Sequence, residues 1–167
     1  MRPSHVKYAS DYQRGYEAED RFANEHLDNP VKASKEQDMF EHWDVRGLLN
    51  GKPYKFDVKG LRKLNRSDES FQNDVTWVEG INVNGDKGWL QGQADYIVFE
   101  REDEWFLIDR SFLFDWTTKQ LIKHGYKKGK DLYSLYQRAG RKDKITLIKY
   151  SDIPNSHIIK LSKSMIE

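Results

Sequence analysis

The stretch His42-Trp43-Asp44-Val45-Arg46-Gly47-Leu48-Leu49-Asn50-Gly51-Lys52-Pro53-Tyr54-Lys55-Phe56-Asp57-Val58-Lys59-Gly60 decides how this chain reads. Asn50-Gly51 between alternating apolar residues is the strongest short-range hairpin signal, because a type I′ turn needs positive φ at both central positions. A two-residue turn there pairs residues whose numbers sum to 101. Asp44 is then expected to face Asp57, with side chains ~5 Å apart. The same register puts Trp43, Val45, Leu49, Tyr54, Phe56 and Val58 on one face, and His42, Asp44, Arg46, Lys55, Asp57 and Lys59 on the other. The first face reads as core and the second as chemistry. Two carboxylates opposed across a ladder repel, so the pair lowers stability unless a positive group, most naturally a divalent cation, lies between them.

The chain has 167 residues, enough for one domain with a single core and too few for two comfortable ones. Five Trp and nine Tyr argue against disorder, while a mean hydropathy of -0.90 implies a heavily solvated surface. The absence of cysteine removes disulfide scaffolds, thiolate nucleophiles and Cys-based zinc sites, and fits an intracellular, cytoplasmic location. Met1 to Ser10 lacks the apolar core of a signal peptide, and no stretch approaches the ~20 apolar residues of a membrane span. The near-neutral charge hides an asymmetry. Lys119 to Lys149 holds ten Lys/Arg against two Asp, which leaves 18 basic against 25 acidic residues elsewhere. Such segregation points to a polyanionic partner, or to a solvated helical face.

Ser10 and Gln13 form a capping-box pattern ahead of a helix expected over about 11–27 and stopped by Asp28-Asn29-Pro30. Its stripe reads Tyr12, Tyr16, Ala23 and Leu27, and Glu19 falls on that stripe, where a carboxylate is out of place. Val31 to Asp38 reads as loop, and so does Leu61 to Asp74 beyond the hairpin of about 42–60. Strands are expected over Val75–Val83, Trp89–Phe99, Trp105–Ile108 and Ile145–Tyr150. Ser111 to His124 is helical, with Gly125 as its C-terminal cap. A short helical piece is expected around Leu132, Leu135 and Tyr136, and Ile158 to Leu161 is ambiguous. The fold class is α/β, a mixed central sheet of about five strands flanked by helices.

Asp44 and Asp57 supply oxygen ligands suited to Mg²⁺, and Glu19 adds a third if the first helix packs beside the hairpin. Lys59, two residues beyond Asp57, points the same way and can position an attacking water or stabilise charge on a phosphate. A helical Glu, an Asp on one strand and Asp-x-Lys on the next resemble the PD-(D/E)xK nuclease superfamily, whose fold is a restriction-endonuclease-like core. Gly15 to Leu27, with Ala18-Glu19 followed by Phe22 and Ala23, is similar to the first helix of its Holliday-junction resolvase and phage endonuclease branches. Asp57-Val58-Lys59-Gly60 is similar to their strand end. The resemblance covers roughly Tyr12 to Leu61 and departs from the pattern in lacking a Pro before Asp44. It implies a Mg²⁺ (or Mn²⁺) site made by Glu19, Asp44, Asp57 and the Val58 carbonyl, with Lys59 beside the water.

Other readings stand beside this one. Asp57 and Lys59 also fit a plain solvent-facing hairpin, and Glu19 a helix residue paired with a surface Lys. Glu79, Gln93 and His42 are candidates to join the site. The five histidines show no zinc-hydrolase spacing, and no nucleotide-binding Gly loop or serine elbow occurs. DNA contact is expected from Arg62, Lys63, Arg66, Lys127, Lys128, Lys130, Arg138, Arg141 and Lys142, whose phosphate contacts give salt-sensitive affinity without sequence information. The leading expectation is a Mg²⁺-dependent DNA endonuclease acting on duplex or on branched, junction-like DNA, as a homodimer where the junction is symmetric. The alternatives are a non-catalytic nucleic-acid-binding module on the same fold and a sequence-specific restriction endonuclease.

Overall fold

Asn50 (φ 51°) and Gly51 (φ 78°) both take positive φ, and the hairpin they close keeps the register that sums to 101, from Leu49↔Lys52 to Val45↔Phe56. The structure is a computed structural model that describes residues 17–61, 74–82 and 84–163. It is α/β, with a mixed six-stranded sheet and a separate three-stranded one. The chain runs helix α1 (17–26), β1 (Asp28–Lys32), a π-turn (Gln37–Glu41), β2 (Val45–Leu49), β3 (Lys52–Lys59), β4 (Val75–Ile81) and a 3-10 turn (Trp89–Gln91). It continues through β5 (Tyr96–Glu100), β6 (Glu104–Asp109), α2 (Arg110–Lys123), β7 (Leu135–Tyr136), β8 (Lys144–Lys149) and β9 (Ile158–Ser162).

The large sheet has the order β1-β2-β3-β5-β6-β9, antiparallel throughout except where β3 runs parallel to β5. The small sheet is β4-β8-β7. Two cores sit on opposite faces of the large sheet. On one, α1 packs Ala18, Phe22, Ala23 and Leu27 against Val45, Leu49, Phe56, Val58, Val98, Trp105 and Leu107. Phe22 meets Phe56 and Trp105 edge-on at centroid distances of 5.3 and 5.4 Å. Each such fully buried apolar side chain contributes about 1.5–3 kcal/mol, which is what fixes the helix on the sheet. On the other face Trp43, Ile97, Phe99, Phe106 and Ile108 pack against Leu113 and Trp116 of α2 and against Val78 and Ile148 of the small sheet.

Central β5 and β6, covered on both faces, read as unbroken apolar runs. Helix α2 starts where the Asp109 carboxylate accepts the Phe112 N–H at 2.8 Å, one residue earlier than expected, and stops ahead of Gly125.

Several expectations are corrected. The sheets hold more strands than the five expected. β1 occupies part of the stretch read as loop, because an edge strand needs no apolar alternation; all five of its residues are exposed. Residues 89–95 are not strand: Trp89–Gln91 is a 3-10 turn and only Tyr96–Glu100 extends. β7 replaces the expected helical piece, since Leu135 and Tyr136 pair with Thr146 and Ile145. The ambiguous tail is β9, which completes the sheet beside β6. The hydroxyl of Ser34 and the side-chain carbonyl of Gln37 accept each other's backbone N–H groups, a capping box inside the stretch read as loop, which the sequence reading missed. Ser10, Gln13, Tyr12 and Tyr16 lie outside the described residues, as does the loop from 62 to 73.

Candidate active site

The ladder between β2 and β3 ends one step short of the expected opposition. Asp44 does not pair with Asp57. Its N–H donates to the Phe56 carbonyl at 2.8 Å while Val45 is also opposite Phe56, so two residues of one strand answer one of the other. That is a β-bulge, a device that re-aims a side chain and ends pairing. The Asp44 carboxylate turns across the break and accepts the Val58 N–H at 2.6 Å, a bond a continued ladder would have made with backbone. The bulge also breaks the alternation. Trp43 therefore joins the core on the α2 face instead of sharing the α1 face with Val45.

Contrary to the plain-hairpin reading, Asp57 and Lys59 do not face solvent. Parallel pairing sets Asp57 beside Ile97 and Lys59 beside Phe99, both members of the α2-side core. Asp57 is only 3% exposed. A carboxylate that deep needs a partner, and Lys59 Nζ supplies it at 3.0 Å from Asp57 Oδ1. The same ammonium lies 4.3 Å from the centroid of the Trp89 ring, whose π face favours a cation. Nothing local in the sequence marks Trp89 as the seat of Lys59. It arrives on a turn thirty residues later.

Glu19 approaches from α1. Its Oε2 is 3.2 Å from Lys32 Nζ of β1, the pairing with a surface lysine that was the alternative reading, and Lys32 also holds Asp20 at 2.6 Å. Burial raises the Glu19 pKa, Lys32 opposes the rise, and Asp38 and Asp57 add to it. Asp44 is pushed up to about 9, first by burial and then by Asp57 and Glu19, against the pull of Lys59 and the Val58 N–H. The break at Asp44 is thus where Glu19 from one face of the sheet and Asp57 and Lys59 from the other act on one carboxyl.

Glu79 on β4 feels the same lysine. Burial raises its pKa while Lys59, Arg138 and His42 pull it down. His42 does not pair opposite Lys59 as expected. It sits in left-handed conformation (φ 58°) with its ring Nε2 3.1 Å from the Lys87 carbonyl. Gly92 lies so close that a Cβ there would come 2.6 Å from the His42 Cβ. Gln93 is exposed and gives its N–H to the Glu41 carbonyl at 2.7 Å, holding the π-turn.

Of the expected DNA contacts, Lys127, Lys128, Lys130, Arg141 and Lys142 are exposed. Arg138 is committed elsewhere: its Nε donates to Asp143, which is 0% exposed. Arg62, Lys63 and Arg66 lie outside the described residues.

All the acidic donors at the bulge are oxygens, the set a hard cation takes. Among the described residues no three His, Asp or Glu side chains already surround one point. Glu19 and Asp57 are each drawn to a lysine. The donors nonetheless fit such an ion chemically: Asp44 is raised first by burial and then by Asp57 and Glu19, and a divalent charge would offset that acidic repulsion. No protein-family model, curated protein or solved structure matches the chain. Among the described residues no helix is long and apolar enough to cross a membrane.

Proposed function

We propose that the chain is a Mg²⁺-dependent DNA endonuclease built on a restriction-endonuclease-like core. The observation that carries this reading is the Asp44 carboxyl, raised to about 9 by burial and by Asp57 and Glu19, at a bulge where Lys59 is also in reach. A structural ion pair needs one acid and one base. One buried carboxyl on which two further acids act, beside a lysine seated on an aromatic ring, fits a site that takes positive charge and an anionic substrate.

Glu19, Asp44, Asp57 and the Val58 carbonyl are the groups that would hold Mg²⁺, which when bound supplies Lewis-acid polarisation of the phosphate and a more acidic water. The protein's own part is positional and electrostatic. Asp57 and the Trp89 ring fix the Lys59 ammonium, where it can orient a water or neutralise charge on the phosphate. Asp44 is held in place by the Val58 N–H and would give its proton to solvent if a cation occupied the site. Of the expected contacts, Lys127, Lys128, Lys130, Arg141 and Lys142 are exposed and can track a phosphate backbone.

A second reading is a nucleic-acid-binding module without catalysis, and the pairs Glu19–Lys32 and Asp57–Lys59 favour it, since both acids already have partners. Cleavage of duplex, single-stranded, flap and four-way DNA with Mg²⁺ or Mn²⁺ separates the two. The nuclease cleaves at least one of these and loses cleavage but not binding in Asp57→Ala and Lys59→Ala. A wild-type protein that binds DNA and cleaves none of them is the module. Discrete bands from long duplex DNA mark a sequence-specific restriction enzyme.

A further inference from the structure

Immediately before the bulge, the π-turn carries two large apolar side chains into solvent. Phe40 is 73% exposed and Met39 55%. Exposed single apolar residues are ordinary, but this pair sits on backbone pinned at both ends. Ser34 and Gln37 cap each other at its start. At its end the Trp43 indole N–H donates to Glu41 Oε1 at 3.0 Å, the Glu41 carbonyl takes the Gln93 N–H at 2.7 Å, and the His42 ring meets the Lys87 carbonyl at 3.1 Å. The aromatic ring is therefore presented by a braced support.

Phe40 is four positions before Asp44, so their Cα atoms are at most about 14 Å apart. That is a span of one or two nucleotides from a phosphate at the acids. The segment that enters the turn is tied to the bulge itself, since the Ala33 N–H donates to the Asp44 carbonyl at 2.8 Å. Met39 and Phe40 at the tip are uncharged, and Glu41 beside them is taken up by the Trp43 indole N–H and lies 4.0 Å from Lys55 Nζ, so the tip offers a flat apolar surface.

We propose that Phe40, flanked by Met39, stacks on an unpaired nucleobase one or two nucleotides from the scissile phosphate, making the site selective for DNA whose bases are already unstacked at a branch or flap. The inference rests on the nuclease reading of the acids and deepens it. Aromatic side chains stack on any base face, and they wedge most readily where pairing is already broken.

The test uses the full chain and a splayed fork with 2-aminopurine at the branch, with Ca²⁺ in place of Mg²⁺ so that binding is read without cleavage. Wild-type protein is expected to quench the fluorophore and to prefer fork over blunt duplex. Phe40→Ala is expected to lose the quench and about 10-fold of that preference, while Phe40→Trp keeps both. Equal quench and preference in wild type and Phe40→Ala overturn the proposal. So does a wild-type dimer that Phe40→Ala turns into monomer, which assigns the ring to a second copy of the chain. Absence of Mg²⁺-dependent cleavage on every substrate, with the Phe40-dependent quench intact, overturns the catalytic reading and leaves the stacking contact standing.

Discussion

The Asp44 carboxylate accepts the backbone N–H of Val58 at 2.6 Å, across the point where β2 parts from β3. A side chain thereby stands in for main chain in the middle of a sheet, and the acid it places there is held among other acids instead of facing open water. Most of what distinguishes this site follows from that substitution.

The first consequence is a pH dependence with a definite sign. Asp44 is raised from its ordinary 3.8 to about 9. A carboxyl whose folded pKa lies above its unfolded one stabilises the fold fully below the unfolded value, and that stabilisation is lost as pH rises through the folded value. The metal-free protein is therefore expected to lose thermal stability between pH 4 and 9. Asp44→Asn, which keeps an oxygen for the Val58 N–H, should flatten the profile and raise Tm at pH 8 by about 3 °C. Thermal melts across the pH series check this, and an unchanged slope in the variant would contradict it.

Mg²⁺ should act on the same group. At pH 7.5 its binding is expected to release close to one proton per protein, seen calorimetrically as a heat that depends on the buffer's ionisation enthalpy. Asp44→Asn should bind Mg²⁺ more weakly and without that buffer dependence.

Lys59 has a polar and an aromatic partner, so its removal tests position as well as charge. Lys59→Ala is expected to lower cleavage by about 10²–10³-fold with DNA affinity nearly unchanged. Lys59→Arg should restore little, because a planar guanidinium does not reproduce a point ammonium 3.0 Å from Asp57 and above Trp89. Single-turnover rates alongside a salt titration of binding separate the two effects.

Glu100 holds the exit of β3 in place. Its buried carboxylate takes Arg21 at 2.5 Å, Lys163 at 2.9 Å and the Leu61 N–H at 2.9 Å. Burial pushes its pKa up, yet the Leu61 N–H, Arg21 and Lys163 together bring it below the ordinary value. The stability it provides is present above the unfolded pKa and falls away as pH drops through the folded one. Glu100→Ala is expected to cost about 3 kcal/mol by chemical denaturation.

The basic segment divides into two roles. Arg138→Ala leaves the fully buried Asp143 without its ion pair and should destabilise by about 3 kcal/mol. Lys127→Ala, Lys128→Ala and Lys130→Ala remove exposed charges and should leave stability within about 0.5 kcal/mol. Each is expected to reduce the salt dependence of DNA binding by about 0.9 in log–log slope if it contacts a phosphate.

The hairpin, its turn and its register were legible from Asn50-Gly51, because turn geometry is written in a few adjacent residues and the register follows from it. The apolar runs that became β5 and β6 and the bounds of α2 were legible for the same local reason. Glu19, Asp44, Asp57 and Lys59 could be singled out by residue type and spacing. What no local pattern contained was the bulge that moved Asp44 off its partner, the burial of Asp57 beside β5, and the arrival of Lys32 and Trp89 as partners for Glu19 and Lys59. Each depends on contacts between residues far apart in the chain, where packing against a second element decides which face is wet and which charge is paired. The chain by itself determined which groups are present and how the hairpin turns. Only the tertiary structure decided that Asp57, Lys59 and Glu19 all act on the Asp44 carboxyl at the break in the sheet, because desolvation and the parallel β3–β5 pairing arise only once the distant strands have met.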